Sequence, residues 1–330
     1  MNILIVQTGF LGDIILSTPV ISALKQIYPD SRLFFLTTPA GRQLIDNDTL
    51  LEKVLVYDKR GADKGISGIF KISKKLKKYN FQKVYSLHKS YRTSIMLFLS
   101  GINERTGFKK AKFSFLYHKK QSRNPLDHDA VRNLSILGSE SDISAFNQEL
   151  RLFPPDIDEI GEDLKKIKEE KYIFMSPGSA WKTKRWHEKG YNETAKYFEN
   201  SGYKIVISGS VDEMEICKRV CSGTCSLNLS GKINLKELKF VVKNALLCIC
   251  NDSMALHMAS ALKTPCAAIF CSTIPEFGYG PWKNKSIVVE KKLSCRPCGR
   301  HGHNKCPEKT EECMKISSDE VISASEKLLA

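Results

Sequence analysis

At 330 residues the chain is too long for one average domain and comfortable for two, and its 42% hydrophobic residues suffice for two ordinary cores. No apolar run approaches the ~18 residues that a membrane span requires; the longest, near 94–102, falls well short. The net charge of +15 is localised: residues 51–125 hold 19 Lys and Arg against 4 Asp and Glu, while the remainder balances at 32 against 32.

Such a field suits an anionic partner (nucleic acid, an acidic membrane or a phosphorylated substrate) or is a solvated helix face. All 11 cysteines lie after residue 216, and the N-terminus has no basic n-region and carries Asp13 inside its apolar stretch. These features predict a reducing, cytoplasmic compartment and neither a disulfide framework nor a secretory signal.

Strand-like and helix-like segments alternate along the chain, which predicts parallel sheets covered by helices. In the first half 3–6, 32–36, 53–56 and 83–86 read as strands. Residues 20–27 read as a helix with apolar positions 20, 21, 24 and 27, Thr18 as cap and Pro19 at the first helical position. Residues 66–79 read as a basic amphipathic helix, with Ile66, Ile69, Phe70, Ser73 and Leu76 on one face and lysines opposite. The alternation pauses at Phe153-Pro154-Pro155, predicting domains 1–155 and 156–330. It resumes with strands at 172–175, 204–208, 227–229, 246–250 and 266–270. Helices are predicted between them, near 188–201, 211–221, 235–245 and 253–262. Two doubly wound α/β domains facing a cleft follow from this pattern, with ligands expected outside the carboxyl ends of the strands.

Three motifs sit at such strand ends. The first is QTGFLGD, Gln7 to Asp13, after the apolar run Ile3-Leu4-Ile5-Val6. Its two glycines, Gly9 and Gly12, are not the three of a dinucleotide fingerprint. They allow a tight turn beside a ligand, and Asp13 is either a helix-capping carboxylate or a general base next to a sugar hydroxyl. The second is SPGSAWKTKRW, Ser176 to Trp186, in which Gly178 and Ser179 open a loop followed by Lys182, Lys184 and Arg185. Those cations suit a diphosphate, although lysine-rich loops are also common on surfaces. The third is CNDSMALHMASAL, Cys250 to Leu262, delivering Asp252 and Ser253 to a helix start. That is a ready anion site or simply an N-cap; His257, one turn further on, reads as a packed core histidine. Separately, Cys295, Cys298, Cys306 and Cys313 share a Gly/His/Pro-rich loop. Four thiols at short spacing suit a structural zinc, or are free thiols or a redox-labile pair.

Together these motifs resemble glycosyltransferase family 9, the ADP-heptose:lipopolysaccharide heptosyltransferases, and most closely the heptosyltransferase II group. The similarity runs from MNILIVQTGFLGDIILSTPVISALKQIYPDSRLFFL through PGSAWKTKRW, LNLSGKINLKEL and CNDSMALHMASALKTPCAAIF to CRPCGRHGHNKCP. It implies a two-domain GT-B fold and transfer of heptose with inversion, without a catalytic metal or other cofactor. It implies ADP-heptose in the C-terminal domain and an anionic lipid A-core acceptor on the N-terminal one. Asp13 matches the family's base and Gly12 lies in its acceptor-side loop. Lys184 matches the lysine that meets the donor phosphates, and Gly178, Ser179, Asp252, Ser253 and Met254 fall in the donor site. Met254 stands where glycine is usual after the Asp-Ser pair, His187 where proline is common, and Cys271 where glycine is frequent; these departures bear on the donor pocket.

Within the basic segment, Lys89 and Arg92 follow a strand end and are expected to contact the acceptor, whereas the lysines of 71–78 are expected to meet the inner face of the inner membrane. The same fold with another nucleotide sugar or a protein acceptor is the first alternative. A non-catalytic basic protein binding membrane or nucleic acid is the second, and it leaves Asp13, Lys184 and Asp252 unexplained. With the transferase reading no nucleic-acid partner is expected.

Overall fold

A computed structural model of the chain describes residues 1–138 and 142–330. It divides into two compact units, Met1–Phe153 and Pro154–Ala330, the division falling within the Phe153-Pro154-Pro155 run.

The first unit carries strands β1 (Asn2–Val6), β2 (Arg32–Thr37), β3 (Leu51–Val56), β4 (Lys83–Ser86), β5 (Glu104–Phe108) and β6 (Lys119–Gln121). Its helices are α1 (Leu11–Ser17), α2 (Pro19–Ile27), α3 (Pro39–Ile45), α4 (Gly65–Lys77), α5 (Tyr91–Leu99) and α6 (Asp129–Leu134). The second unit carries β7 (Tyr172–Ser176), β8 (Lys204–Ile207), β9 (Leu227–Asn228), β10 (Leu247–Asn251), β11 (Cys266–Phe270) and β12 (Ser286–Glu290). Its helices are α7 (Glu162–Lys168), α8 (Glu188–Asn200), α9 (Met214–Val220), α10 (Leu235–Asn244), α11 (Met254–Leu262) and α12 (Ser318–Leu329).

Each unit has one six-stranded parallel sheet, ordered β3-β2-β1-β4-β5-β6 and β12-β11-β10-β7-β8-β9. Numbered from its own first strand, each sheet has the same nucleotide-binding order, in which the winding reverses beside the first strand. Side loops diverge there and open a crevice at the carboxyl edge. In the first unit that point lies between β1 and β4, and in the second between β7 and β10. β1 reads as continuously apolar because it is covered on both faces: Ile3, Leu4, Ile5 and Val6 are all fully buried. β10 and β11 are equally buried.

Several local expectations change. The first glycine loop is already helical from Leu11, so Gly12 lies inside α1 and the turn itself is at Gly9. Thr18 does not cap α2 with its side chain. Its hydroxyl donates to Ile15 O and accepts from Arg151 N, because α1 runs directly into α2 and no free helix start exists there. In α4 the buried stripe is Gly68, Ile69, Ile72, Ser73 and Leu76; Ile66 and Phe70, placed on the inner face by sequence, are 73% and 56% exposed. Ser73 keeps its expected inward position, donating to Ile69 O and Met96 O at 2.8 and 2.9 Å. Strands β5 and β6 escape the sequence pattern, since ERTGF and KKQ carry little apolar signal, and β12 was not expected either. Among the described residues no helix is long and apolar enough to cross a membrane.

Candidate active site

The first cluster forms where β1 and β4 part. Asp13 sits in the first turn of α1, where the helix dipole favours a carboxylate, and its Oδ2 accepts the Phe10 N–H at 3.3 Å. Asp13 therefore meets the capping expectation, from the third position of the helix. Gly9 leaves room for that carboxylate: a Cβ at this position would lie 2.8 Å from Asp13 Oδ2 and 3.0 Å from Gln7 Oε1, so one or both side chains would have to shift. Burial, and then the negative charge of Asp129, raise the Asp13 pKa from the ordinary 3.8 to about 6; the Phe10 N–H, Arg123 and Lys89 oppose the rise. A carboxylate poised near neutrality is the kind that can accept a proton in a reaction and release it again.

Asp129 and Arg123 have no signal in the sequence pattern and arrive by packing. α6 lies against α1, tied by Asn133 Nδ2 donating to Leu16 O at 3.0 Å. The buried Asp129 accepts from Arg123 Nη2 at 2.5 Å and from Asn133 Nδ2 at 3.2 Å. Arg123 also stands over the Phe108 ring at 4.9 Å, and its Nε is buried with no hydrogen-bond partner.

From the β4 side, His88 Nδ1 lies 2.9 Å from both the Thr8 and Thr93 hydroxyls. Burial, with Lys59 and Lys89 nearby, pushes its pKa down to about 4, so the ring is neutral at physiological pH. Lys59, from the loop after β3, donates to Thr8 O at 2.5 Å, and burial lowers its pKa. Of the two cations expected beside the acceptor, Lys89 acts on Asp13, whereas Arg92 acts on Tyr57 and Lys59. His88 was legible as a side chain directly after a strand, in the stretch LHKSYRTS; Lys59 was not.

The second cluster forms where β7 and β10 part. Lys184 Nζ meets Asp252 Oδ2 at 2.6 Å, both side chains largely buried, and Thr273 Oγ1 donates to the same oxygen at 2.7 Å. Asn251 locks the two loops together: its Oδ1 accepts Trp186 N at 2.9 Å and its Nδ2 donates to Pro177 O at 2.8 Å. Ser179 Oγ donates to Asp252 O at 3.3 Å. Gly178 leaves no room for a Cβ, because the Glu213 carboxylate lies against it. Ser253 precedes α11 without capping it through its side chain; its buried Oγ has no hydrogen-bond partner. Met254 is the first residue of α11, and His257 is buried within it, as expected of a core histidine.

The cysteine loop packs directly on this cluster. The His303 backbone is bonded twice to Thr183, its N–H donating to the Thr183 hydroxyl at 2.8 Å and its carbonyl accepting Thr183 N at 3.0 Å. Gly302 (φ +75°) lies against Lys184 Cγ. Arg296 donates to Thr273 O at 2.5 Å and to Glu290 Oε2 at 2.7 Å. The four loop cysteines influence one another: burial, Cys298 and Cys306 raise Cys313 to about 11, while backbone N–H groups, Glu311 first, lower Cys306. No three of these four sulfurs, however, lie within 4.8 Å of one another. Among the described residues, the group of three potential ligand atoms within 4.8 Å is instead Cys248, Cys250 and Cys266, buried in neighbouring strands β10 and β11.

Residues 69–309 match the model of glycosyltransferase family 9 (heptosyltransferase). The chain belongs to glycosyltransferase family 9. It is therefore a glycosyltransferase enzyme. This glycosyltransferase is 26% identical over 304 residues to lipopolysaccharide heptosyltransferase 3 of Escherichia coli, covering 84% of this chain and 85% of that one. Its fold is similar to a family 9 glycosyltransferase from Veillonella parvula (TM-score 0.86, 23% identity, 99% and 97% of the two chains). It also matches E. coli ADP-heptose LPS heptosyltransferase II (TM-score 0.81, 20% identity, 100% and 98%). These likenesses place the two α/β units of the glycosyltransferase in the GT-B fold.

Proposed function

We propose that this family 9 glycosyltransferase transfers heptose from ADP-heptose to the lipopolysaccharide inner core, with inversion, and that Asp13 is its general base. What carries the reading is the contrast between two switch-point clusters. One presents a carboxylate poised at about 6; the other presents a lysine, a helix N-terminus and an unpartnered serine hydroxyl. The relatives named above as heptosyltransferases support the donor and acceptor classes.

In the proposed step Asp13 takes the proton of an acceptor hydroxyl. The acceptor oxygen forms a bond to the anomeric carbon as the bond from that carbon to the diphosphate oxygen breaks. ADP leaves with the electron pair. Lys184, shared between Asp252 and the phosphates, and the N–H groups opening α11 at Met254 stabilise the charge that develops there. Ser253 donates to a phosphate oxygen, and Gly178 and Ser179 line the same loop. Lys89 and Arg92 hold the acidic acceptor beside Gly12, at the cytoplasmic face of the membrane, with the α4 lysines towards the lipid. No cofactor takes part in this step. The four loop thiols are the right donor set for a structural zinc, but their sulfurs would have to draw together to bind it; elemental analysis of protein purified without added metal decides the matter.

The experiment that tests the function is ADP release with ADP-heptose and truncated core acceptors. Release that requires both substrates, and that falls roughly 10²–10⁴-fold in Asp13→Asn, is the expected result for loss of a general base. Release with another ADP-sugar in preference to ADP-heptose would transfer the reading to a different donor, as the side chain of Met254 at the start of α11 would permit.

A further inference from the structure

Aromatic side chains cluster on the surface of the first unit at a place no catalytic role explains. Tyr91 and Phe98, two turns apart on α5, are 40% and 49% exposed, and Phe113 and Phe115, in the loop between β5 and β6, are 46% and 71% exposed. Three of them are contiguous, the Tyr91 and Phe113 rings 6.2 Å apart and Phe113 and Phe115 5.7 Å, while Phe98 lies two turns further along α5. The loop that displays them is held in place. Ser94 Oγ donates to Lys112 O at 2.7 Å, Lys112 N to Lys89 O at 3.0 Å, and Tyr117 OH to Ser86 Oγ at 2.9 Å. Phe113 adopts φ +60°, a left-handed conformation that bulky residues rarely occupy, so the chain is strained to turn this ring outward. A pinned ridge of exposed aromatics marks a binding surface.

The charges around it identify the partner. Residues 87–123 contain nine Lys and Arg and one acid, Glu104. Glu104 is taken up by Lys83 and Lys119. Lys109, Lys110 and Lys112 are exposed on the loop itself, and the guanidinium of Arg105 covers the Phe98 ring at 5.5 Å. Two copies of so cationic a patch repel each other. Aromatic rings that settle at headgroup depth, bordered by lysines that meet lipid phosphates, fit a bilayer carrying negative charge.

We propose that the ridge of Tyr91, Phe98, Phe113 and Phe115 is the face that docks on an anionic lipid bilayer, the rings entering the interface and Lys109, Lys110 and Lys112 contacting headgroups. This rests on the membrane contact proposed above and moves its centre from the α4 lysines to this loop. The placement suits a lipid-linked acceptor: the loop is bonded to the backbone of Lys89, whose charge acts on Asp13.

The test is sedimentation with vesicles of phosphatidylcholine alone and of phosphatidylcholine with phosphatidylglycerol. It compares the full chain, Phe115→Ser, and the quadruple variant K74Q/K75Q/K77Q/K78Q. The full chain binds the anionic vesicles selectively. Phe115→Ser, altering an exposed ring, keeps the wild-type unfolding midpoint and its turnover on a soluble, delipidated acceptor, but loses roughly ten- to a hundred-fold in vesicle affinity, the worth of one buried aromatic side chain. The quadruple variant retains most of the binding. If Phe115→Ser binds like wild type while the quadruple variant does not, membrane contact stands and this face is wrong. Absence of binding by the wild-type chain removes both. A concentration-dependent dimer dispersed by Phe115→Ser would show that a second copy covers the ridge, and would overturn the proposal.

Discussion

The Lys184 ammonium and the Asp252 carboxylate, from the loops after adjacent strands β7 and β10, meet at 2.6 Å with little access to water. Removing one partner of a buried pair strands the other, at about 3 kcal/mol or more. Lys184→Ala is therefore expected to lower stability as well as ADP affinity. Lys184→Met/Asp252→Asn, which strands no charge, should recover most of the stability and none of the ADP affinity. Denaturant unfolding and calorimetry on both variants separate the two effects. Wild-type ADP affinity in Lys184→Ala would remove the lysine from the donor site.

On the mechanism proposed above, the acid limb of the pH–rate profile should fall at about 6, because an Asp13 base works only when ionised and its pKa is raised to that value. Asp129→Asn removes the neighbouring negative charge and leaves Arg123 to favour ionisation, so the limb should move to lower pH. His88, held down at about 4, does not set it. His88→Gln should leave the limb where it is.

The same shift has a stability consequence of opposite sense to the usual carboxylate. Between the ordinary 3.8 and about 6 the folded protein holds a proton that the unfolded chain has released. Stability therefore falls as pH rises through that window, and the cost is complete above it, up to about 3 kcal/mol. Asp13→Asn should thus be more stable than wild type at pH 7 and lose the advantage below about pH 4. Thermal melts at both pH values decide this independently of catalysis.

Gly9→Ala would put a methyl 2.8 Å from Asp13 Oδ2. The carboxylate must move, and a displacement near 1 Å is enough to cost roughly 10²-fold in turnover. ADP affinity, which the proposed donor site assigns to the other unit, should not change. Normal turnover in this variant would show that Asp13 does not need its observed position.

Arg296 touches neither Lys184 nor Asp252, yet its guanidinium holds Thr273 O while the Thr273 hydroxyl holds Asp252. With Lys184 and Asp252 as the proposed donor site, Arg296 would act by positioning Thr273. Arg296→Ala should weaken ADP binding by roughly ten-fold, the loss of about one charged hydrogen bond passed on through Thr273. Arg296→Lys should restore part of it, and the acid limb set by Asp13 should stay fixed in both.

The motifs after β1, β7 and β10 were readable in the chain because strand periodicity and the glycine, serine and aspartate chemistry of a strand-to-helix junction are local properties. So were the alternation that builds two parallel sheets and the cations of KTKR. What surrounds Asp13 was not local. Asp129 and Arg123 reach it only because α6 packs on α1 and fastens Asn133 to Leu16, more than a hundred residues away. Likewise Lys184 is a paired rather than an open cation because β7 and β10 are neighbours in a sheet whose order no single segment encodes. The aromatic ridge follows the same rule: the exposure of Phe113 and Phe115 is decided by the fold of the loop between β5 and β6, where Phe113 adopts a left-handed conformation. Residue type and spacing decide which chemistry is present; the burial and the neighbouring charges that tune it come from packing between distant segments.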